Sequence, residues 1–139
     1  MKNIFIAILF LAFASCSDDN IDSNRFLPNV SVNESINLNL PQYANLHIPG
    51  GFAYAEGGIR GLVIYYSGTG YVAFDRACPH IELQSCSTMD VDDSGLFMVC
   101  PCDGERFQII NGAPENSNIR YAARAYTVTV NGDILIIRS

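Results

Sequence analysis

The sequence predicts an all-β domain, an antiparallel sandwich or small barrel. Three observations predict it. Short runs of β-type residues follow one another from Ile36 to the C-terminus, separated by turn signals. Ser67-Gly68-Thr69-Gly70, Asn111-Gly112 and Asn131-Gly132 are turn sequences that close hairpins. No segment keeps a helical period of apolar residues over three turns, and there is no internal repeat.

The elements follow in order. Ile36-Asn37-Leu38-Asn39-Leu40 alternates apolar and polar residues, which suits a half-buried strand. Phe52 to Ala55 and Ile59 to Tyr66 are strand candidates on either side of Gly57-Gly58. Tyr71 to Asp75 returns from the Ser67 to Gly70 turn. Leu96 to Cys100 and Arg106 to Ile110 come next, ended by Asn111-Gly112. Ala125 to Val130 and Ile134 to Ile137 make a closing hairpin across Asn131-Gly132.

Composition narrows the function classes. The chain has 139 residues, room for one domain with a real core and too little for two. Apolar residues make up 49% and charged residues 16%, a globular composition rather than a disordered one. The net charge of −6 and a single lysine, Lys2, argue against nucleic acid as a partner, because phosphate neutralisation needs clustered Lys and Arg. No Ser–His–Asp set or carboxylate pair stands out as catalytic machinery. Asp90-Val91-Asp92-Asp93 lacks the spacing and late Glu of a calcium loop and reads as a solvated hairpin turn. His47 is assigned no role.

Two short motifs carry the chemistry: Cys78-Pro79-His80 and Cys100-Pro101-Cys102-Asp103-Gly104. Between His80 and Cys100 lie 19 residues. A Cys-x-His followed at this distance by Cys-Pro-x-x-Gly resembles the cluster-binding loops of Rieske proteins. There, two cysteines hold one iron of a 2Fe–2S cluster and two histidines hold the other. Cys78 and Cys100 match the cysteines and His80 the first histidine, while the second histidine position holds Asp103. Phe107 follows in register. The resemblance covers 36–139. It implies a Rieske-like β-sandwich or barrel with a small inserted subdomain that carries the metal loops.

The same resemblance implies a one-electron carrier with Cys78, His80, Cys100 and Asp103 as cluster ligands, working with an unidentified redox partner protein. Length alone leaves no room for a second, catalytic iron domain of the oxygenase kind. A carboxylate is an acceptable, harder iron ligand than imidazole. It adds a negative charge, so reduction meets more Coulomb repulsion. The potential is then expected to fall from the Rieske range towards roughly −400 mV, the plant-type ferredoxin value. In high-potential Rieske proteins a further cysteine in each loop forms a bracing disulfide. Cys102 sits at the matching place in the second loop; in the first loop that place is Leu83, and Cys86 lies three residues later. The 19-residue gap is slightly longer than the family usually shows, so Cys86 is expected to reach Cys102, and an oxidising compartment favours that bond.

The residues themselves leave two other readings open. Four cysteines in an exported β-domain also suit disulfides alone, with Cys78 free to pair with Cys100. That makes a cofactor-free surface lipoprotein with a binding or structural role; His80 is then a leftover polar residue and Asp103 a turn former before Gly104. The third reading is zinc held by Cys78, Cys86, Cys100 and Cys102, or by His80, although no pair has C-x₂-C spacing.

The N-terminus reads as an export signal. Lys2 supplies the positive charge, Ile4 to Phe13 the apolar run, and Ala14-Ser15 the small residues before Cys16. Such a run is short of the roughly 20 residues that span a bilayer. Small residues ending at a cysteine resemble the lipobox of bacterial lipoproteins, with Phe13 where that motif usually carries Leu. The expectation is a signal peptide over 1–15, lipid on Cys16 and a polar tether over 16–35. Ser17-Asp18-Asp19 resembles the acidic export tags of some Bacteroidetes surface lipoproteins. An outer-membrane or cell-surface location follows from these resemblances.

Overall fold

The computed structural model describes residues 24–139. The expected signal peptide, Cys16 and the acidic stretch after it lie outside the described residues.

Among the described residues nine strands form two antiparallel sheets. They are β1 (Asn33–Asn37), β2 (Phe52–Ala55), β3 (Leu62–Tyr66), β4 (Tyr71–Asp75), β5 (Asp90–Val91), β6 (Phe97–Val99), β7 (Arg106–Gln108), β8 (Ala125–Asn131) and β9 (Ile134–Arg138). The larger sheet has the order β1-β9-β8-β4-β3-β2 and curls as a half-barrel; the smaller has the order β5-β6-β7. The all-β expectation holds. A single 3-10 helix, Pro41–His47, is the helical element among the described residues, opened by a proline whose missing N–H costs nothing there.

The β3 strand shows how one sheet serves two cores. Its first four residues are all buried. Leu62 and Ile64 face one way, into a core with Ile36, Leu46, Tyr126, Leu135 and Ile137. Val63 and Tyr65 face the other way, into a core with Phe74, Met89, Met98, Phe107, Cys78 and Cys100. The period of two along a strand makes this division. The second core glues the small sheet to the barrel and encloses the cysteines. Each fully buried side chain of this size contributes about 1.5–3 kcal/mol of transfer free energy.

Several boundaries differ from the sequence expectation; β6 and β7 are shorter than the expected Leu96 to Cys100 and Arg106 to Ile110, and three further differences have a visible cause. The first strand is Asn33–Asn37 rather than 36–40. Asn37 Oδ1 accepts the Asn39 N–H at 3.0 Å, an Asx turn that ends the strand before Leu40. The stretch 59–61 is a loop, because the Ile59 and Arg60 N–H groups bond the Asp75 carboxylate instead of a strand. Asp90 and Val91 pair with Val99 and Met98 in the small sheet, so only the second half of the acidic run is a turn. There Asp92 Oδ1 accepts the Ser94 hydroxyl at 2.6 Å.

The segment expected as the second half of a polar tether lies against the domain. Leu27 and Val32 are buried, and Arg124 donates to the Leu27 and Pro28 carbonyls. Asn24 Nδ2 donates to the Pro79 carbonyl at 2.6 Å, tying this segment to the first cysteine loop. Residues 33–35 belong to β1. Apolar Leu27, Val30 and Val32, spaced among polar residues, provide the burial that holds the segment down.

Candidate metal centre

One motif loop leaves the larger sheet and the other is a turn within the smaller one. Cys78-Pro79-His80 follows β4 in the long connection to β5, and Cys100 to Gly104 forms the turn between β6 and β7. The first loop is fastened by the Cys78 N–H to Ser87 O at 3.0 Å. The second is closed by Gly104 N–H to Cys100 O and Cys100 N–H to Glu105 O, each 2.8 Å. Gly104 has φ +79°, a left-handed conformation that a side chain disfavours. This explains the glycine of the second motif.

The four motif positions come together, in a particular bonding state. Cys78 and Cys100 are joined as a disulfide with Cα atoms 5.7 Å apart, and both are fully buried. Cys86 and Cys102 form a second disulfide with Cα atoms 5.1 Å apart, partly exposed at the tip of the loops. Leu83 takes no part in it. Zinc on four thiolates therefore does not describe this state, since all four sulfurs are bonded to one another.

His80 and Asp103 face each other. His80 Nε2 donates to Asp103 Oδ2 at 2.6 Å, and Asp103 Oδ1 accepts the Glu105 N–H at 3.1 Å. The His80 side chain is 11% exposed and that of Asp103 36%. Burial acts to raise the Asp103 carboxyl, but the hydrogen bonds from His80 and Glu105 outweigh it and hold the group below the usual carboxylate range. An ionised carboxylate only accepts, so Nε2 carries a proton. The other ring nitrogen, Nδ1, is buried and has no hydrogen-bond partner among the described residues. One ligand atom each from His80, Cys100 and Asp103 lie within 4.8 Å of one another. The ring of His80 also lies 5.5 Å from that of Phe107, which gives Phe107 its place in the pattern.

These observations test the fit to a 2Fe–2S cluster. The donor types are right for iron: soft sulfur, imidazole nitrogen and carboxylate oxygen converge on one spot. A buried imidazole nitrogen without a partner is a costly feature that a metal bond would offset. The sulfurs of Cys78 and Cys100 become ligands only once their disulfide is reduced. The residues thus fit the cluster in the dithiol state and not in the disulfide state.

Several residues around the site carry no sequence signal of it. Asn24, which grips Pro79 O, sits in a run of polar residues with no motif. Asp75 reads as the end of a strand, yet it is a fully buried carboxylate two residues before Ala77. Its oxygens accept the Ile59, Arg60 and Ala77 N–H groups and the Tyr126 hydroxyl at 2.6–3.1 Å. Burial and the adjacent Asp75 carboxylate push the Tyr126 phenol far above its usual range, so it remains a donor.

No protein-family model matches the sequence, and no curated protein matches it. Solved structures do match. The plasma-membrane Rieske protein PetC3 of the cyanobacterium Synechocystis PCC 6803 aligns with a TM-score of 0.54 at 17% identity, over 80% of this chain and 100% of that one. The ferredoxin of carbazole 1,9a-dioxygenase from Nocardioides aromaticivorans IC177 aligns at 0.49 and 21% identity, over 78% and 97%. E. coli NirD aligns at 0.47 and 17% identity, over 79% and 98%. The domain is Rieske-like: a half-barrel base with a small sheet inserted between β4 and β8 to present two loops. At these identities the likeness is one of fold.

Proposed function

We propose that the chain is a Rieske-type one-electron carrier, exported and tethered to the membrane by lipid on Cys16, with a divergent cluster site. Cys78 and Cys100 as thiolates would hold one iron, and His80 with Asp103 the other, once the Asp103 carboxylate leaves its bond to His80 Nε2. When bound, a 2Fe–2S cluster supplies a single-electron couple. The observation that supports this reading is the buried, unpartnered Nδ1 of His80 beside a cysteine pair in a Rieske-like fold. The protein's own residues do the rest. The Cys86–Cys102 bond braces the two loop tips against each other, and the barrel core holds their bases. The partner would be a redox protein that reaches the loop tips.

A second reading rests on one specific observation, the Cys78–Cys100 disulfide. It is a cofactor-free surface lipoprotein in which the two bonds serve as staples. One experiment separates the readings. The disulfides are reduced anaerobically and the protein is supplied with iron and sulfide. Binding of a cluster with visible absorption and, once reduced, an EPR signal supports the carrier. Asp103→His should then raise the midpoint potential, because a neutral ligand replaces an anionic one. If neither wild type nor Asp103→His binds iron with Cys78 and Cys100 reduced, the cofactor-free reading holds.

A further inference from the structure

The loop between β2 and β3 carries two opposite charges that do not pair. Glu56 follows β2, and Arg60 lies two residues before β3. Both line a cavity of about 470 Å³, with Gln42, Tyr54 and Arg76 among its other walls. Among the described residues the Glu56 carboxylate has no ion pair. The Arg60 guanidinium gives one N–H to the neutral Gln84 carbonyl at 2.8 Å and has no other partner among the described residues. Arg76 is different. Its guanidinium pairs with Asp90, donates through Nε to Met89 O at 2.9 Å and lies 4.0 Å from the Tyr54 ring centroid. With that pair closed, the lining offers a ligand one anion and one cation.

The backbone holds these two charges in place. The Ile59 and Arg60 N–H groups are bonded to the buried Asp75 carboxylate at 2.6 and 3.1 Å, so the loop between Glu56 and Arg60 is fastened to the core. The Gln84 carbonyl fastens the far end of the Arg60 side chain. Ala55 and Gly61, the smallest residues of the lining, leave the cavity its room. A Cβ on Gly61 would lie 3.4 Å from Ala55 O and 3.7 Å from Arg76 Cδ.

We propose that this cavity binds a small zwitterion, an α-amino acid, with its carboxylate on Arg60 and its ammonium on Glu56. A guanidinium fork suits a carboxylate, and an ionised carboxylate accepts from an ammonium. A ligand with a single charge meets one matching and one opposing group here, whereas a zwitterion meets two matching ones. The volume falls in the range of small-molecule pockets, which start at about 300 Å³. Tyr54, 38% exposed, offers ring surface to the amino-acid side chain. The site uses no cysteine and neither His80 nor Asp103, so it stands whether or not those residues hold a cluster.

The test is an NMR titration of the folded chain at neutral pH, with both disulfides intact. The probes are L-leucine, L-leucinamide, which lacks the carboxylate, and N-acetyl-L-leucine, which lacks the ammonium. L-Leucine should bind about threefold or more tighter than either analogue, the size of one partly exposed ion pair. The shifted resonances should be those of Tyr54, Glu56 and Arg60. Glu56→Gln should weaken L-leucine about threefold and leave N-acetyl-L-leucine unchanged, because that analogue has no ammonium to lose. Arg60→Gln should weaken L-leucine to the same degree and leave L-leucinamide unchanged. Both substitutions keep the bonds to Asp75, which use backbone N–H groups. Equal affinity for L-leucine and either analogue, shifts confined to other residues, no saturable binding, or a variant that binds L-leucine as the wild type does would each overturn the proposal. So would a coupling of Glu56 and Arg60 in a double-mutant cycle on the stability of the ligand-free chain, for then the two charges satisfy each other.

Discussion

At the scale of single residues, the buried carboxylate of Asp75 shows what a motif search passes over. Cysteines and histidines announce themselves, and Cys78, His80, Cys100 and Asp103 were legible as a group because their spacing resembles a known pair of loops. Asp75 has no such spacing. Its role exists only because four donors from three stretches of chain converge on it. It links the loop before β3, the start of the first cysteine loop and Tyr126 of β8. The fit needs two acceptor oxygens: Oδ1 takes two N–H groups, and Oδ2 takes one N–H and the Tyr126 hydroxyl. An amide presents NH₂ on one side and would face donors with donors. Asp75→Asn is therefore expected to cost about 2–4 kcal/mol, the penalty for buried donors left unpaired. Tyr126→Phe removes one hydrogen bond and should cost about 1 kcal/mol. Urea unfolding of both variants with the disulfides intact checks the order. An Asp75→Asn loss no larger than that of Tyr126→Phe would mean that Asp75 is not the joint described.

Elements were more legible than their ends. β2 and β4 run where their alternation and turns put them, and β8 and β9 close on Asn131-Gly132 as the turn chemistry requires. β1 and β3 shifted because side chains captured backbone N–H groups, Asn37 in one case and Asp75 in the other, and strand periodicity contains no term for that. The two-residue β5 is too short for any period to register. Turn glycines offer a test at this scale, since two of them share a backbone need and differ in surroundings. Gly112 and Gly132 have φ of +73° and +59°. A Cβ on Gly132 meets nothing within 4 Å, whereas one on Gly112 lies 2.7 Å from Phe74 Cε1 and 3.2 Å from Ala123 Cβ. Gly132→Ala should cost about 1–2 kcal/mol, the left-handed penalty alone. Gly112→Ala should cost about 1–3 kcal/mol more, because Phe74 belongs to the core that joins the sheets. Thermal midpoints of the two variants read the difference directly. Equal losses would show that the turn after β7 yields without disturbing that core.

For the whole molecule, cysteine arithmetic connects the folded domain to its attachment. The sequence has five cysteines, and the two disulfides use four of them. Cys16 is the fifth, and under the proposed export an odd cysteine calls for a chemical fate of its own. No helix among the described residues is long and apolar enough to cross a membrane. The proposed attachment is lipid on Cys16, which follows a short apolar run and small residues in the sequence. Seven residues lie between Cys16 and Asn24, and Asn24 is bonded to the first cysteine loop. At about 3.5 Å per residue at most, that link keeps Asn24 within about 30 Å of the lipid attachment. Mass spectrometry of the native N-terminal peptide should find Cys16 as the first residue with a thioether-linked diacylglyceryl group. Cys16→Ser should move the protein from the detergent phase to the aqueous phase on partition, with both disulfides still present in a non-reducing peptide map. An unmodified Cys16, or a mature chain that begins elsewhere, would end the lipoprotein reading. An unmodified Cys16 that stays in the chain would also leave its thiol free to attack Cys86–Cys102, the more exposed of the two bonds, and scrambled pairings in the same map would reveal it.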